Sequence, residues 1–176
     1  MKFLIASDIH GSAYFARELV KRFDEEKADR ILLLGDILYH GPRNDLPREY
    51  NPKTVIELLN ALADKILSVR GNCDSEVDEM VLDFPVMADY ALVQASDRTL
   101  FLTHGHKAFN KTGSGIVLSG HTHIPVCTDE DGVLRINPGS VSIPKENTPN
   151  SYMTFDGNEF LWKNIETGEV YKEYKL

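Results

Sequence analysis

Six histidines occur in the chain, at positions 10, 40, 104, 106, 121 and 123, and five of them stand in short polar clusters. Asp8-Ile9-His10-Gly11, Thr103-His104-Gly105-His106 and Gly120-His121-Thr122-His123 carry the imidazoles; Gly35-Asp36 and Gly71-Asn72-Cys73-Asp74 add carboxylates and an amide. Asp8, His10, Asp36, Asn72, His104, His121 and His123 together form a mixed nitrogen and oxygen donor set with no thiolate among the necessary members. Such a set suits Mn²⁺, Fe²⁺ or Zn²⁺ more than Ca²⁺ or Mg²⁺ alone. Seven groups exceed what one ion usually takes, so two divalent ions with Asp36 between them are the simpler account. A pair of ions can hold a bridging hydroxide, orient a phosphate and stabilise the attacking and leaving oxygens of an in-line displacement. Residues i and i+2 of an extended segment point the same way, so His121 and His123 are expected to face one pocket and reach different ions, with Thr122 pointing away.

These groups can act only if the fold gathers them. The runs at 2–7, 30–35 and 65–71 are almost continuously apolar or β-branched, as strands buried on both faces are. Between them, 12–27 places Phe15, Leu19, Val20 and Phe23 on one helical stripe behind Ser12 as N-cap, and 52–64 does the same with Val55, Leu58, Leu59 and Leu62 behind Pro52. Strand, helix, strand, helix, strand predicts a parallel sheet, and in such a sheet ligands bind outside the carboxyl ends of the strands, where every cluster falls.

Beyond residue 89 the texture changes to short strands joined by turn signals: 90–95 to 99–103, 124–128 to 133–136, 151–156 to 159–163, and a last strand near 170–174. This half reads as mostly antiparallel. The expected fold is α/β, two stacked mixed β-sheets flanked by helices in an αββα sandwich, one domain over residues 1–176. If the strands before His104 and before His121 are parallel neighbours, the link at 107–114 is short for a helical crossover; either it is a tight loop or residues are absent from the chain.

The formal net charge is −8, and the basic residues form no cluster longer than a pair, so no stable nucleic-acid complex or anionic membrane contact is expected. The N-terminal apolar stretch is too short for a secretory signal, and no run approaches a membrane span. Cys73 and Cys127 show no paired spacing and fit a reducing cytoplasm. An acidic protein that handles an anionic substrate needs a local source of positive charge, and bound divalent ions supply one.

In this order, "DIHG", "GD", "GNCD", "THGH" and "GHTH" resemble the calcineurin-like metallophosphoesterase superfamily, and within it the small bacterial phosphodiesterases of YfcE type. The likeness extends to "GPRN" at 41–44, "RGNCDSEVD" at 70–78 and "NPGSVSIPK" at 137–145. It implies a metal-dependent phosphodiesterase acting on small phosphodiesters. Asp8, His10 and His123 would bind the first ion, Asp36 would bridge, and Asn72, His104 and His121 would bind the second. Mn²⁺ is the expected metal, with Zn²⁺, Fe²⁺ or Ni²⁺ compatible. Asn72 and His104 would also act on the phosphate, with Cys73 and His106 as further catalytic candidates, and His40 and Arg43 are candidate substrate contacts. Asp74 is expected to orient a neighbouring loop, and 137–140 to form a turn under the site.

One departure bears on chemistry. Much of the superfamily has histidine after the motif asparagine, where this chain has Cys73. A neutral thiol is a poor substitute for an imidazolium, so substrates with good leaving groups should be favoured. The alternatives are a non-catalytic protein-binding scaffold, as in the retromer subunit of this fold, which shares the cysteine, and a phosphomonoesterase. The chain keeps all seven metal-binding positions, which argues against the scaffold. A homo-oligomer is compatible with the sequence.

Overall fold

A computed structural model describes residues 1–107 and 115–176. The strands are β1 (Phe3–Ala6), β2 (Arg30–Leu33), β3 (Ile66–Ser68), β4 (Tyr90–Ala95), β5 (Arg98–Thr103), β6 (Gly115–Leu118), β7 (Val126–Glu130), β8 (Val133–Asn137), β9 (Ser151–Phe155), β10 (Glu159–Asn164) and β11 (Val170–Lys175). They build a six-stranded sheet in the order β11-β10-β9-β1-β2-β3 and a five-stranded sheet in the order β4-β5-β6-β8-β7. β1, β2 and β3 are mutually parallel, as are β5, β6 and β8, so each sheet has a parallel centre whose carboxyl ends can carry a site.

The continuous apolar runs have a direct cause. Leu4, Ala6, Ile31, Leu33 and Ile66 face one core, shared with helices α1 (Ala13–Glu26) and α2 (Pro52–Asn60); Phe3, Ile5, Leu32 and Leu34 face a second core between the sheets. Alternate residues of one strand therefore enter different cores, and neither face tolerates a polar side chain. From the other sheet Leu100, Leu102, Ile116, Leu118, Leu134 and Ile136 fill the second core. Burying each such side chain contributes roughly 1.5–3 kcal/mol.

Ser12 caps α1 by accepting from the Phe15 N–H at 3.3 Å, and Asn51 caps α2 by accepting from the Thr54 N–H at 3.3 Å, with Pro52 in the first helical turn. α2 stops at Asn60, short of the expected 64. The Asn60 amide donates to the Val81 carbonyl and accepts from the Asp83 N–H, tying the helix end to the segment after β3. A further short helix, α3 (Glu76–Glu79), was not anticipated, although Ser-x-x-Asp marks its start and the Ser75 N–H donates to Asp78 at 2.8 Å.

The expected α/β fold of two mixed sheets flanked by helices is present, with few helices. The described ones all lie in the first half of the chain, and among the described residues no helix covers the five-stranded sheet, where Tyr90 and Leu92 remain about 60 % exposed. β4–β5 and β7–β8 are tight hairpins with no room for a helix, the latter turning through Asp131 and Gly132 at φ 54° and 80°. β5 and β6 are parallel as expected, but the link between them includes 108–114, outside the described residues.

Glu26, at the end of α1, joins helix to sheet. Its carboxylate accepts from Lys2 at 2.7 Å, Lys163 at 2.5 Å and the Tyr152 hydroxyl at 2.7 Å, reaching β9, β10 and the residue before β1. Burial alone would raise its pKa, but the Lys163, Lys2 and Tyr152 bonds outweigh that and lower it from 4.5 to about 2. A depressed folded-state value contributes stability above the unfolded pKa and loses it as pH falls through the folded one. Glu26→Gln should therefore cost about 1–3 kcal/mol in urea unfolding at neutral pH. Its deficit against wild type should shrink as pH falls from 4.5 toward 2.

Candidate metal centre

β1 ends at Ala6 and delivers Asp8 and His10; β2 delivers Asp36; β3 delivers Asn72, Cys73 and Asp74; β5 delivers His104; β6 delivers His121 and His123. The side chains meet between the sheets. Asp8 Oδ1 lies 3.2 Å from His123 Nε2 and 3.6 Å from His10 Nε2. Asp36 Oδ2 lies 3.7 Å from His10 Nε2 and 3.4 Å from His104 Nε2, and His104 Nε2 lies 3.1 Å from Asn72 Oδ1. The His121 ring stands 5.1 Å from that of His104, and the His123 ring 5.1 Å from that of His10. Asp36 thus sits between an Asp8, His10, His123 half and an Asn72, His104, His121 half.

Backbone carbonyls orient three of the imidazoles. Nδ1 of His10 meets the Tyr39 carbonyl at 2.8 Å, that of His104 the Leu34 carbonyl at 2.6 Å, and that of His123 the Ile143 carbonyl at 2.7 Å. A carbonyl only accepts, so each Nδ1 carries a proton and each ring turns its Nε2 toward the site, where it can bind a metal ion once unprotonated. The result is a buried, crowded set of potential ligand atoms: His10 and His123 place Nε2 atoms 3.3 Å apart, and Asp8 Oδ1 has only these imidazole nitrogens beside it. Ligand atoms so crowded suit a cation among them. The donor set fits divalent metal ions, and Asp8, His10, His123 and Asp8, Asp36, His104 each bring their ligand atoms within 4.8 Å of one another.

The titration behaviour has the same origin. Burial alone would raise the Asp8 and Asp36 pKa values, but His10 and His123 around Asp8, and His104 beside Asp36, outweigh it and lower both. Burial would lower His104, yet Asp36 and the Asp8 charge raise it to about 9. His121 and His106 are held below the ordinary imidazole value, first by burial and then by His104. Burial and the neighbouring Asp36 charge push the Cys73 thiol up to about 12.

The turns that present these groups are strained. Asp8, His10, Asp36, His121 and His123 have φ of 59°, 50°, 56°, 69° and 62°, a left-handed region that costs non-glycine residues about 1–3 kcal/mol each. The expected extended geometry of His121 and His123 is therefore wrong. Thr122 N–H folds back onto the Gly120 carbonyl at 2.8 Å, and the two rings enter different halves of the cluster by successive left-handed turns. Thr122 does not point away; it lines the cavity.

Buried polar ties hold the turns. Asp74 accepts from the N–H groups of Asp36, Ile37 and Gly71 at 2.8, 2.8 and 2.7 Å, locking the β2 and β3 ends together. A Cβ on Gly71 would stand 2.0 Å from Asp36 Oδ1, so only glycine fits. The 137–143 turn supports the other side: the Ser140 and Ser142 hydroxyls donate to the Asp8 carbonyl at 2.8 and 2.9 Å, and the Asn137 amide donates to the Gly120 carbonyl at 2.7 Å.

Residues 1–159 match the model of the calcineurin-like phosphoesterase superfamily domain. The chain belongs to this superfamily. It is 45% identical over 165 residues to phosphodiesterase YfcE of Escherichia coli K12, covering 90% of this chain and 89% of that one. Phosphodiesterase MJ0936 of Methanocaldococcus jannaschii is 28% identical over 79% of this chain and 83% of its own. The structure of the E. coli phosphoesterase YfcE superposes with a TM-score of 0.92 at 41% identity over 99% of both chains. Vacuolar protein sorting 29 of Cryptosporidium parvum shares the fold alone, with a TM-score of 0.63 at 20% identity over 99% and 98%. This calcineurin-like chain is a phosphoesterase, and none of its described helices is long and apolar enough to cross a membrane.

A cavity of about 400 Å³ opens over the cluster, lined by Asp36, Asn72, Cys73, His121 and His123 below and by Arg43, Asn44, Thr122 and Lys145 around it. Of the two candidate substrate contacts, Arg43 lies there and His40 does not. The His40 ring packs edge-on against Tyr39 and Tyr50 at 4.7 and 5.2 Å, because Gly41 turns the chain before Arg43. His106 stands 5.4 Å from His104 and 6.2 Å from His121, beside the cluster but off the cavity wall. Asn44, Thr122 and Lys145 carried no functional expectation, because nothing in their local sequence shows that the 138–150 loop returns to the β6 end.

Asp74→Asn removes a carboxylate that three N–H groups share without touching the acceptor cluster. It should weaken Mn²⁺ binding by about 10–100-fold in isothermal titration calorimetry while leaving the far-ultraviolet circular dichroism unchanged.

Proposed function

We propose that this protein is a phosphodiesterase acting on small substrates with two divalent cations, Mn²⁺ foremost. Asp8, His10 and His123 would hold one, Asn72, His104 and His121 the other, with Asp36 shared. The observation that carries this reading is the buried crowding of His10 Nε2, His123 Nε2 and Asp8 Oδ1, within 3.2–3.6 Å of one another, the atoms a metal ion would take as ligands. Bound there, the cations supply Lewis acidity and an activated water at neutral pH. The similarity to proteins named phosphodiesterases supports diesters as the substrate class.

The chain's own residues set the rest. The carbonyl-anchored rings keep Nε2 directed inward, so the donors need little reorganisation when a phosphate arrives. Asn72 lines the cavity beside Asp36 and would meet a non-bridging phosphate oxygen, with the buried His104 Nε2 3.1 Å from its Oδ1. Cys73, with its thiol at about 12, stays neutral at pH 7 and serves as cavity wall rather than as acid, leaving the leaving group to depart without a proton from this position. Free thiols at Cys73 and Cys127 accord with a cytoplasmic setting.

With Mn²⁺ present, the purified protein should hydrolyse bis(p-nitrophenyl) phosphate faster than p-nitrophenyl phosphate. Asp36→Ala and His121→Ala should each lower kcat by at least about a hundredfold without loss of fold. Wild-type rates in both variants, or after complete chelation, would refute the mechanism, and protein purified without chelator should carry about two metal ions per chain by elemental analysis. Cys73→Ala should keep the rate on this activated diester within about threefold, whereas Cys73→His should raise turnover of diesters with poor leaving groups by about tenfold or more. A collapse of activity in Cys73→Ala would show that the thiol has a chemical role.

A further inference from the structure

We infer that Lys145 and Arg43 form a clamp for a second anionic group, so that the preferred substrates are phosphodiesters bearing an additional phosphate on one ester arm. The inference deepens the phosphodiesterase reading and rests on it.

The cavity of about 400 Å³ falls in the range that holds a whole small-molecule ligand, well beyond the reacting phosphate alone. Asp36, Asn72, His121 and His123 of the cluster line it, together with Arg43 and Lys145. The chain has 27 acidic and 19 basic residues, and most lysines and arginines pair with a carboxylate: Lys2 and Lys163 with Glu26, Arg17 with Glu49, Lys107 with Asp89, Arg135 with Glu130. Among the described residues neither Arg43 nor Lys145 has a carboxylate partner, although acids are in excess. Two uncompensated cations beside one cavity repel each other until an anion lies between them.

The two come from different turns, and each turn is anchored to the site. The Lys145 N–H donates to the carbonyl of His123 at 3.3 Å, and the Thr148 hydroxyl donates to the Lys145 carbonyl at 2.7 Å, so the Lys145 backbone is held beside the acceptor cluster. Arg43 follows Gly41, which packs against Cys73, and precedes Asn44, whose amide donates to the His40 carbonyl at 2.8 Å. The reacting phosphate has its counter-charge at the cluster. Positive charge beside it therefore matches a second anion on the same molecule. A guanidinium fork with an ammonium is suited to a phosphate, the fork binding two oxygens and the ammonium adding a point charge.

The test uses two substrates with one reacting centre and one leaving group: the p-nitrophenyl ester of thymidine 5′-phosphate, and the same ester carrying a 3′-phosphate. With Mn²⁺-loaded wild-type protein, kcat/KM should favour the 3′-phosphorylated ester by about tenfold, mainly through KM, and the preference should fall as KCl rises from about 50 to 500 mM. Lys145→Met and Arg43→Met should each bring the ratio of the two kcat/KM values below about two, while Lys145→Arg keeps most of it. Equal kcat/KM for the two esters in wild type overturns the clamp and leaves the diesterase reading standing, as does a preference that survives in both methionine variants. Hydrolysis of neither ester overturns the diesterase reading and the clamp with it.

Discussion

Carboxylate oxygens and imidazole nitrogens crowded at one buried point are the constraint around which this molecule is organised. Asp8, Asp36, His10, His104 and His123 are buried with their acceptor atoms turned toward one another, and the imidazole protons are committed to backbone carbonyls on the far side of each ring. Such a cluster would be costly in an ordinary core, where a polar group must find its partner. It makes sense at a place built to receive cations.

The architecture follows from the need to gather these groups rigidly. Two cores flank the strands β1, β2 and β3, so the strands cannot slide without exposing one face or the other. Their carboxyl ends, and those of β5 and β6, then present the site residues from fixed positions. Five of those residues occupy the left-handed region, a cost met by ties such as the three N–H bonds to Asp74 and the serine hydroxyls on the Asp8 carbonyl. Asp74, Ser140 and Ser142 are as much part of the site as the ligand candidates, though they face away from it.

Groups of both signs share the cavity. Asp36, His121 and His123 on the cavity lining fit cations, while Arg43 and Lys145 on the same lining have no ion-pair partner among the described residues of a protein of net charge −8. Cys73 lines the same cavity, its thiol pushed up by burial and by the Asp36 charge. Cations bound at this cavity would give an acidic protein a local attraction for anions.

Much of this was legible in the residues alone. Apolar runs buried on both faces identify β1 and β2, a serine before an apolar stripe identifies α1, and a glycine or aspartate turn after each strand marks where the functional groups lie, because these signals are local and short-range sterics enforce them. The donor types Asp8, His10, Asp36, Asn72, His104, His121 and His123 likewise name a metal chemistry without reference to geometry. Tertiary structure alone decided what depends on distant segments meeting. It replaced the extended His121-Thr122-His123 geometry with left-handed turns, took His40 off the cavity wall toward Tyr50, left the outer face of the five-stranded sheet without a described helix, and brought Lys145 from the loop after β8 to the cavity that Asp36 and Arg43 also line. A side chain's direction at a strained turn, and its neighbours across a loop, are set by packing between elements far apart in the chain, and no local pattern records them.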